Sequence, residues 1–410
     1  MIIHSPEIFI EGEHATLKSR VEWHSPPSHI PEMAWFRYPA EHSKHLSEGS
    51  EMFAAALIQT AMFYGEDLEV RGAVTPRFAF GLHEYHNAFH AWFPALFKAI
   101  DIRFENTVSN QRDVEPTGIG LAFSGGIDST YTLIRNLPDN QPLTDYQVQY
   151  GLFLQGMDYS LDDGAAFEMA STRYQELFDR LGLHLIPVQT NVTAFTKYRI
   201  DLALTFGGPL IAAGLGLEKL LKRFYIASSF TYDQLQPVGS GPIVDPLLGT
   251  ETMDIVHHGA AVRRFDKLRE VVRWGGAKDT LRVCIRDPKP LDHLNCSHCG
   301  KCLQVMAQLE LMGKQDDYSV LEDFELGSFI TWGFHDPLSR QTNGELIHQS
   351  RKAGRWVIYL GMYWVKVSSW LRLRFDRLAR YLLRGERLYR FKRWYFGRER
   401  KDEANPTPSK

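Results

Sequence analysis

Cysteine is scarce in this sequence: four residues in 410, with none outside one short window. That excludes a disulfide framework spread along the chain. A leader pattern is also missing, since "MIIHSPEIFIEGEH" has no basic start and no sustained apolar run. No uncharged apolar run reaches the roughly 18 residues that a spanning helix needs. The most apolar late stretch, "WVIYLGMYWVKVSSWL", is short and carries Lys366. These absences make a cytoplasmic protein the expectation. There is no internal repeat and no low-complexity tract. Hydrophobic content of 44% with 12% aromatics excludes wholesale disorder. At 410 residues the chain exceeds one typical core, so two or three domains are expected.

The net charge of −3 conceals an asymmetry. Residues 351–410 hold 17 Lys/Arg against 5 Asp/Glu, a net +12, which leaves −15 for the rest. A basic appendage of this kind suits RNA, an anionic membrane surface, or protein, including the acidic body itself. Its segment "WLRLRFDRLARYLLRGERLYRFKRWYF" mixes Trp and Tyr with Arg at amphipathic spacing. Packing on protein is the plainest reading. A second copy of the chain is a further candidate partner.

Residues 1–115 read as an N-terminal α+β region, with a helical pattern in "EMFAAALIQTAMFYG" and a strand in "DIRFENTV". The polar linker "SNQRDVEPTG" follows. From residue 116 strand and helix patterns alternate: "IGLAF", "YGLFLQG", "LHLIPVQTN" and "FYIASS" are strands, and the segments between them are helical, including "YRIDLALTFGGPLIAAGLGLEKLLKR". Such alternation predicts an α/β fold with a doubly wound parallel sheet. Ligands in such sheets bind beyond the carboxyl ends of the strands. This domain extends to about 315. A basic helical extension is expected over 316–400, and a disordered tail over 401–410.

At the end of the first of these strands stands "SGGIDST". Backbone N–H groups at a helix start are unsatisfied and partly positive, and two glycines let a polyanion approach them closely. Ser124 and Ser129 add hydroxyls, and Asp128 suits an N-cap or a magnesium contact. A Gly-Gly pair is also an ordinary loop signal. No Gly-Lys-Ser/Thr follows, so this is not the kinase-type phosphate loop.

The cysteines are Cys284, Cys296, Cys299 and Cys302, spaced C-x11-C-x2-C-x2-C. Thiolates two residues apart can curl around one ion, and a preceding Cys on a strand end closes the fourth position. Four thiolates make a closed structural zinc site. An iron–sulfur cluster and unmetallated thiols are the alternatives, but the ferredoxin Cys three residues on, followed by Pro, is absent. The helix beginning "CGKC" carries Leu303, Met306, Leu309 and Met312 on one face, which reads as core.

"SGGIDST" after an apolar strand resembles the S-G-G-x-D-S signature of the PP-loop ATP pyrophosphatase superfamily. With the cysteine spacing, and with "DPLLGTETMDIV" similar to that family's segment before its zinc site, the chain is most similar to 7-cyano-7-deazaguanine synthases over about residues 117–315. The resemblance implies a HUP-type (adenine nucleotide alpha-hydrolase-like) domain that cleaves ATP to AMP and pyrophosphate. It implies adenylation of a small-molecule carboxylate, then attack by ammonia or an amine. ATP with Mg2+ would sit on Ser124, Gly125, Gly126, Ile127, Asp128 and Ser129, with Ser124, Asp128 and Ser129 catalytic. Adenine would meet backbone at Phe153 and Leu154, and Zn2+ would be held by the four cysteines. Two alternatives are an RNA- or tRNA-modifying relative that uses the basic tail, and a non-catalytic nucleotide-binding assembly module.

The chain departs from the family in two places. Thr252 stands where the family has Lys, so an anionic contact is lost or supplied by Arg263, Arg264 or Lys267. "SSFTYDQLQPVGSGPIVDP" replaces the family's Tyr-Pro-Asp-Cys element, which implies an altered substrate. Several residues carry weaker signals. His83, His86 and His90 share a helical face and read first as polar packing, with a metal site as the alternative. His257 and His258 read as a helix cap near the cleft, with a substrate role as the alternative. Asp233 and Asp245 fall in the loop expected to recognise substrate, or are turn residues. Arg263, Arg264 and Lys267 read first as a solvated helix face.

Overall fold

The computed structural model describes residues 1–25, 30–108, 115–196, 199–284, 293–332 and 337–382. Most of the expected linker before residue 115, and the tail from 383 onward with its 401–410 segment, lie outside these residues. The strands are β1 (Ile2–Ile3), β2 (Glu7–Glu11), β3 (His14–Glu22), β4 (Met33–Pro39), β5 (Leu68–Val74), β6 (Ile102–Thr107), β7 (Gly118–Ala122), β8 (Tyr150–Gln155), β9 (His184–Thr190), β10 (Leu221–Ala227) and β11 (Asp254–His258). The helices of the same region are α1 (Glu51–Tyr64), α2 (Pro76–Trp92), α3 (Ile127–Arg135), α4 (Gly164–Arg180), α5 (Gly207–Leu215), α6 (Arg264–Trp274) and α7 (Gly300–Met312).

All eleven strands join one sheet in the order β11-β10-β7-β8-β9-β4-β3-β1-β5-β6, with β2 paired to β3. Strands β7 to β11 are mutually parallel. Taken by themselves they run first-second-third to one side of β7 and fourth-fifth to the other. This is the doubly wound arrangement, and its switch point lies between β7 and β10.

Two expectations change here. The N-terminal region is not a separate body, because β4 pairs antiparallel with β9 at Phe36–Thr190 and Arg37–Gln189. The Thr190 hydroxyl donates to Trp35 O at 2.8 Å, and Trp35 N–H donates to Asn191 Oδ1 at 3.0 Å. Residues Met1–Asp323 therefore form one compact unit, and the boundary expected near 115 falls inside it. Nor is the segment expected to be helical from Tyr198 largely helical over its described residues, which begin at Arg199. Only Gly207–Leu215 is α-helix, and "LKR" opens β10, which buries Leu221 and Phe224 in the sheet on either side of a register shift.

Helix α1 is buried on every side from Glu51 to Met62, which is why its sequence lacks a polar stripe. It packs on α5 so closely that a Cβ at Gly208 would lie 2.4 Å from Ala55 O. A Cβ at Gly81 would lie 1.7 Å from Leu247 O, so α2 presses directly on the 3-10 turn Asp245–Leu248. Gly81→Ala is expected to lower unfolding free energy by on the order of 2 kcal/mol in urea titration, because backbone cannot retreat as a side chain can. An unchanged midpoint would show that the two elements can separate freely.

The second unit, Phe324–Lys410, contains α8 (Ser328–Thr331), α9 (Pro337–Lys352) and α10 (Trp356–Leu382). Its described part is helical, and α10 leaves Trp356, Leu360, Trp364 and Trp370 exposed. Among the described residues no helix is long and apolar enough to cross a membrane.

Candidate nucleotide crevice and cysteine centre

Strand β7 ends at Ala122, and the chain turns through Ser124, Gly125 and Gly126 before α3 begins at Ile127. Gly125 has φ +70°, and a Cβ there would fall 2.1 Å from the Tyr174 hydroxyl. Left-handed backbone and close approach thus both require glycine. The Tyr174 hydroxyl donates to Ser124 O at 3.2 Å. Gly126 N–H donates to Ser124 Oγ at 3.3 Å, the Ser129 hydroxyl donates to Gly126 O at 3.1 Å, and the two hydroxyl oxygens lie 3.2 Å apart. The loop is therefore held in shape by its own serines. Its first helical bond is Thr130 N–H to Gly126 O, so the N–H groups of Ile127, Asp128 and Ser129 have no intrahelical partner.

The N-cap of α3 is Gly126, and Asp128 makes no cap. Its carboxylate instead meets two cations from α6. Lys267 Nζ donates to Asp128 Oδ1 at 3.1 Å, and Arg264 Nη1 pairs with Oδ2. Lys267 also donates to Ser228 O at 2.5 Å, just past β10, so one ammonium bridges both sides of the switch-point crevice. The solvated-face reading of α6 is thus corrected: Lys267 is 2% exposed and Arg264 18%. Only Arg263 faces outward, paired with Asp233 at 3.1 Å, which makes Asp233 an exposed ion-pair partner. Burial would raise the Asp128 pKa, but Arg264 and Lys267 outweigh it and hold the carboxyl below its ordinary range.

Thr252 does not approach the loop. It precedes β11, at the amino ends of the parallel strands whereas the loop lies at their carboxyl ends, and its hydroxyl donates to buried Glu218 together with that of Thr250. Arg264 and Lys267 are the cations that face Asp128 in its stead. Phe153 is buried against Phe167, Tyr159 and Tyr174, and Leu154 is also buried. Either residue can offer a ligand only backbone. The ladder from β7 to β8 ends at Ala122–Leu152, whereas β8 pairs with β9 through Gln155. Strand alternation turns the Leu154 N–H and C=O to the β7 side, beyond the end of that ladder, and those of Phe153 towards β9.

His257 and His258 lie within β11 and cap no helix. His257 Nδ1 is 2.7 Å from Asp245, which is fully buried and also accepts from the Ser240 hydroxyl at 2.7 Å and Gly241 N–H at 3.0 Å. Asp245 is a structural anchor under α2, with three donors on its carboxylate. His258 points to the other face, 3.1 Å from the Thr132 hydroxyl and stacked on Tyr131. The α2 histidines serve packing: His86 Nε2 accepts Ile100 N–H at 3.0 Å, His90 Nδ1 lies 2.8 Å from Phe97 O, and His83 meets the Phe104 ring.

Among the described residues Cys284, Cys296, Cys299 and Cys302 form the one cluster able to hold a metal ion, with all four sulfurs within 4.8 Å of one another. The separations are 3.8 Å for Cys284–Cys299, 3.9 Å for Cys296–Cys302 and 3.5 Å for Cys299–Cys302. A tetrahedron with Zn–S arms of about 2.3 Å has edges of about 3.8 Å, so the donor set fits a metal such as zinc. Cys284 lies on an irregular segment and not on a strand end. Asn295 holds that segment: its Oδ1 accepts Val283 and Cys284 N–H, and its Nδ2 donates to Leu281 O and Val320 O. Cys299 stands at the N-cap position of α7, and Ser297, with φ 56°, makes the turn between Cys296 and Cys299. Crowding splits the acidities. Contacts with Cys284, Cys299 and Cys302 pull the Cys296 thiol down, and neighbouring sulfurs push Cys299 and Cys302 up, so four thiolates coexist only around a cation.

The chain matches no family model, no curated protein and no solved structure. The crevice is accordingly characterised by its own geometry. Sequence reasoning missed three residues there. Tyr174 fills the space that Gly125 leaves, Lys301 acts on Asp128 electrostatically, and Arg282 N–H donates to Gly125 O at 2.9 Å. The one available signal for Arg282 was its place two residues before a cysteine of the cluster.

Two outcomes follow from this geometry. Purified protein is expected to carry about one tightly held metal ion per chain, and Cys299→Ser to lose most of it by elemental analysis. Equal metal content in the two proteins would overturn the assignment. The His258 pKa is lowered to about 4 by burial and then by Lys267. The unfolded chain takes up this proton near pH 6.5 while the folded state resists it. The stability present above that value is therefore lost as pH falls from 6.5 through 4. His258→Gln is expected to remove up to about 3 kcal/mol of that acid loss in urea titrations from pH 7 to 4. An identical pH slope in the variant would refute it.

Proposed function

We propose that this protein is an ATP-dependent adenylating ligase of the PP-loop type with a HUP-like catalytic domain, similar in chemistry to 7-cyano-7-deazaguanine synthase. The observation that carries the reading is the bridge from Asp128 through Lys267 to Ser228 O. It sets a pre-shaped, glycine-lined helix start in the switch-point crevice with cations around it. The loop fits a polyphosphate because its free N–H groups, the Ser124 and Ser129 hydroxyls and the nearby ammonium and guanidinium groups are all donors.

In the proposed reaction, ATP is a substrate. A carboxylate oxygen of the acceptor attacks the α-phosphorus, and the bond to the β-phosphate oxygen breaks, so pyrophosphate leaves with the electron pair. Ammonia or an amine then attacks the acyl carbon, and AMP departs. The loop N–H groups with Arg264 and Lys267 would bear the charge that builds on the leaving pyrophosphate. Catalysis is then chiefly positioning and charge stabilisation. Leu154 backbone is the group in β8 placed to meet adenine. Asp128, committed to two cations, does not by itself make a protein-held magnesium site, and magnesium belongs to this reading as the ion ATP carries, neutralising its phosphates. Zinc at the four cysteines would be structural, since a closed thiolate set offers no open position.

The test is pyrophosphate release from ATP with carboxy-deazaguanine and ammonia. Activity is expected with the intact protein, and Lys267→Met is expected to reduce it roughly 100-fold or more. No release across a panel of small carboxylates, with ATP binding retained, would replace this reading with a nucleotide-binding assembly module. Release dependent on added RNA would move the acceptor to RNA.

A further inference from the structure

Among the described residues, Arg282 is a charged group beside the loop whose guanidinium is left without a hydrogen-bond partner at two of its nitrogens. It is 4% exposed, and its Nε and Nη2 have no hydrogen-bond partner. No carboxylate pairs with it among the described residues; its guanidinium lies 3.8 Å above the Tyr159 ring. A ring face compensates a buried cation only in part, and an unpaired buried charge is costly enough that proteins rarely keep one idle.

Its surroundings are those of the crevice. Arg282 N–H donates to Gly125 O, and the guanidinium acts electrostatically on Tyr174, whose hydroxyl holds Ser124 O. Tyr159 belongs to the turn after β8, where its carbonyl accepts Gly156 N–H. The side chain is thus fixed between the ends of β7 and β8. On the other side of the loop Arg264, Lys267 and Lys301 act on Asp128, and Lys301 also feels Asp158 and the Cys299 sulfur.

We infer that Arg282 is an oxyanion receptor of this crevice, its guanidinium taking a phosphate of the nucleotide or the carboxylate of the acceptor. The inference deepens the ligase reading and rests on it for the identity of the two anions. A planar guanidinium with Nε and Nη2 both unpartnered matches either oxyanion in bidentate fashion, which an ammonium cannot do.

The experiment compares the intact protein with Arg282→Met and Arg282→Lys. Each is titrated calorimetrically with inorganic pyrophosphate, with carboxy-deazaguanine and with adenosine, and each is melted without ligand. Arg282→Met is expected to bind one of the two anions roughly 10- to 100-fold more weakly, with adenosine unchanged. Whichever anion is affected identifies the source. Arg282→Lys is expected to recover only part of the loss. Without ligand, Arg282→Met is expected to melt no lower than the intact protein, since it removes an unpaired buried charge. Unchanged affinity for both anions overturns the inference, as does a lowered melting point with the same ligand-induced shift, which marks a purely structural arginine. Absence of anion binding by the intact protein also overturns it. Failure of the ligase reading looks different: no pyrophosphate release from ATP, while Arg282-dependent anion binding persists.

Discussion

A buried ammonium holds the crevice together. Lys267 is shut away from water, and it repays that desolvation by donating at once to a carboxylate on α3 and to the carbonyl just past β10. These two partners belong to the strands on either side of the switch point. Each partner alone would leave the ammonium underpaired, so the separation of the two strand ends, the pitch of α3 and the seating of α6 are set together. The N–H groups of the loop then face the crevice as a consequence of how α3 is anchored.

A second brace reaches the same loop from the far side. The segment that donates to Gly125 O through Arg282 runs directly into Cys284. Asn295 fastens residues 281–284 with three hydrogen bonds and ties them to Val320 O with a fourth. A metal in the thiolate cluster would therefore do more than close a knuckle. It would pin the segment that supports the left-handed turn at Gly125, and it would position Arg282, whose Nε and Nη2 have no partner among the described residues. Metal centre and crevice are one mechanical assembly built from segments about 160 residues apart.

Much of this was readable from local pattern. The parallel strands β7 to β10, the loop serines and glycines and the four cysteines all announce themselves through short-range regularities: short apolar runs, a glycine pair between strand and helix, and ligands three residues apart. The reading failed where the deciding contact is distant. The amphipathic pattern of α6 is compatible with solvent, and only the arrival of Asp128 turns Arg264 and Lys267 inward. The late end of "LGLEKLLKR" has helical propensity, yet sheet pairing beside β7 claims it for β10. The histidine pair looked like a cap, but strand alternation sends His257 to Asp245 and His258 to Thr132.

The sequence by itself determined the chemistry on offer: a loop that can receive negative charge, a thiolate set that can hold an ion, and an α/β alternation that places ligands at strand ends. Those properties are local, because backbone conformation and side-chain type act over a few residues. Tertiary structure alone decided that β4 would extend the sheet beside β9, which cations would surround Asp128, and that Arg282 would be buried without an anion. Such outcomes depend on which remote segments share a low-dielectric space, and no local pattern records that.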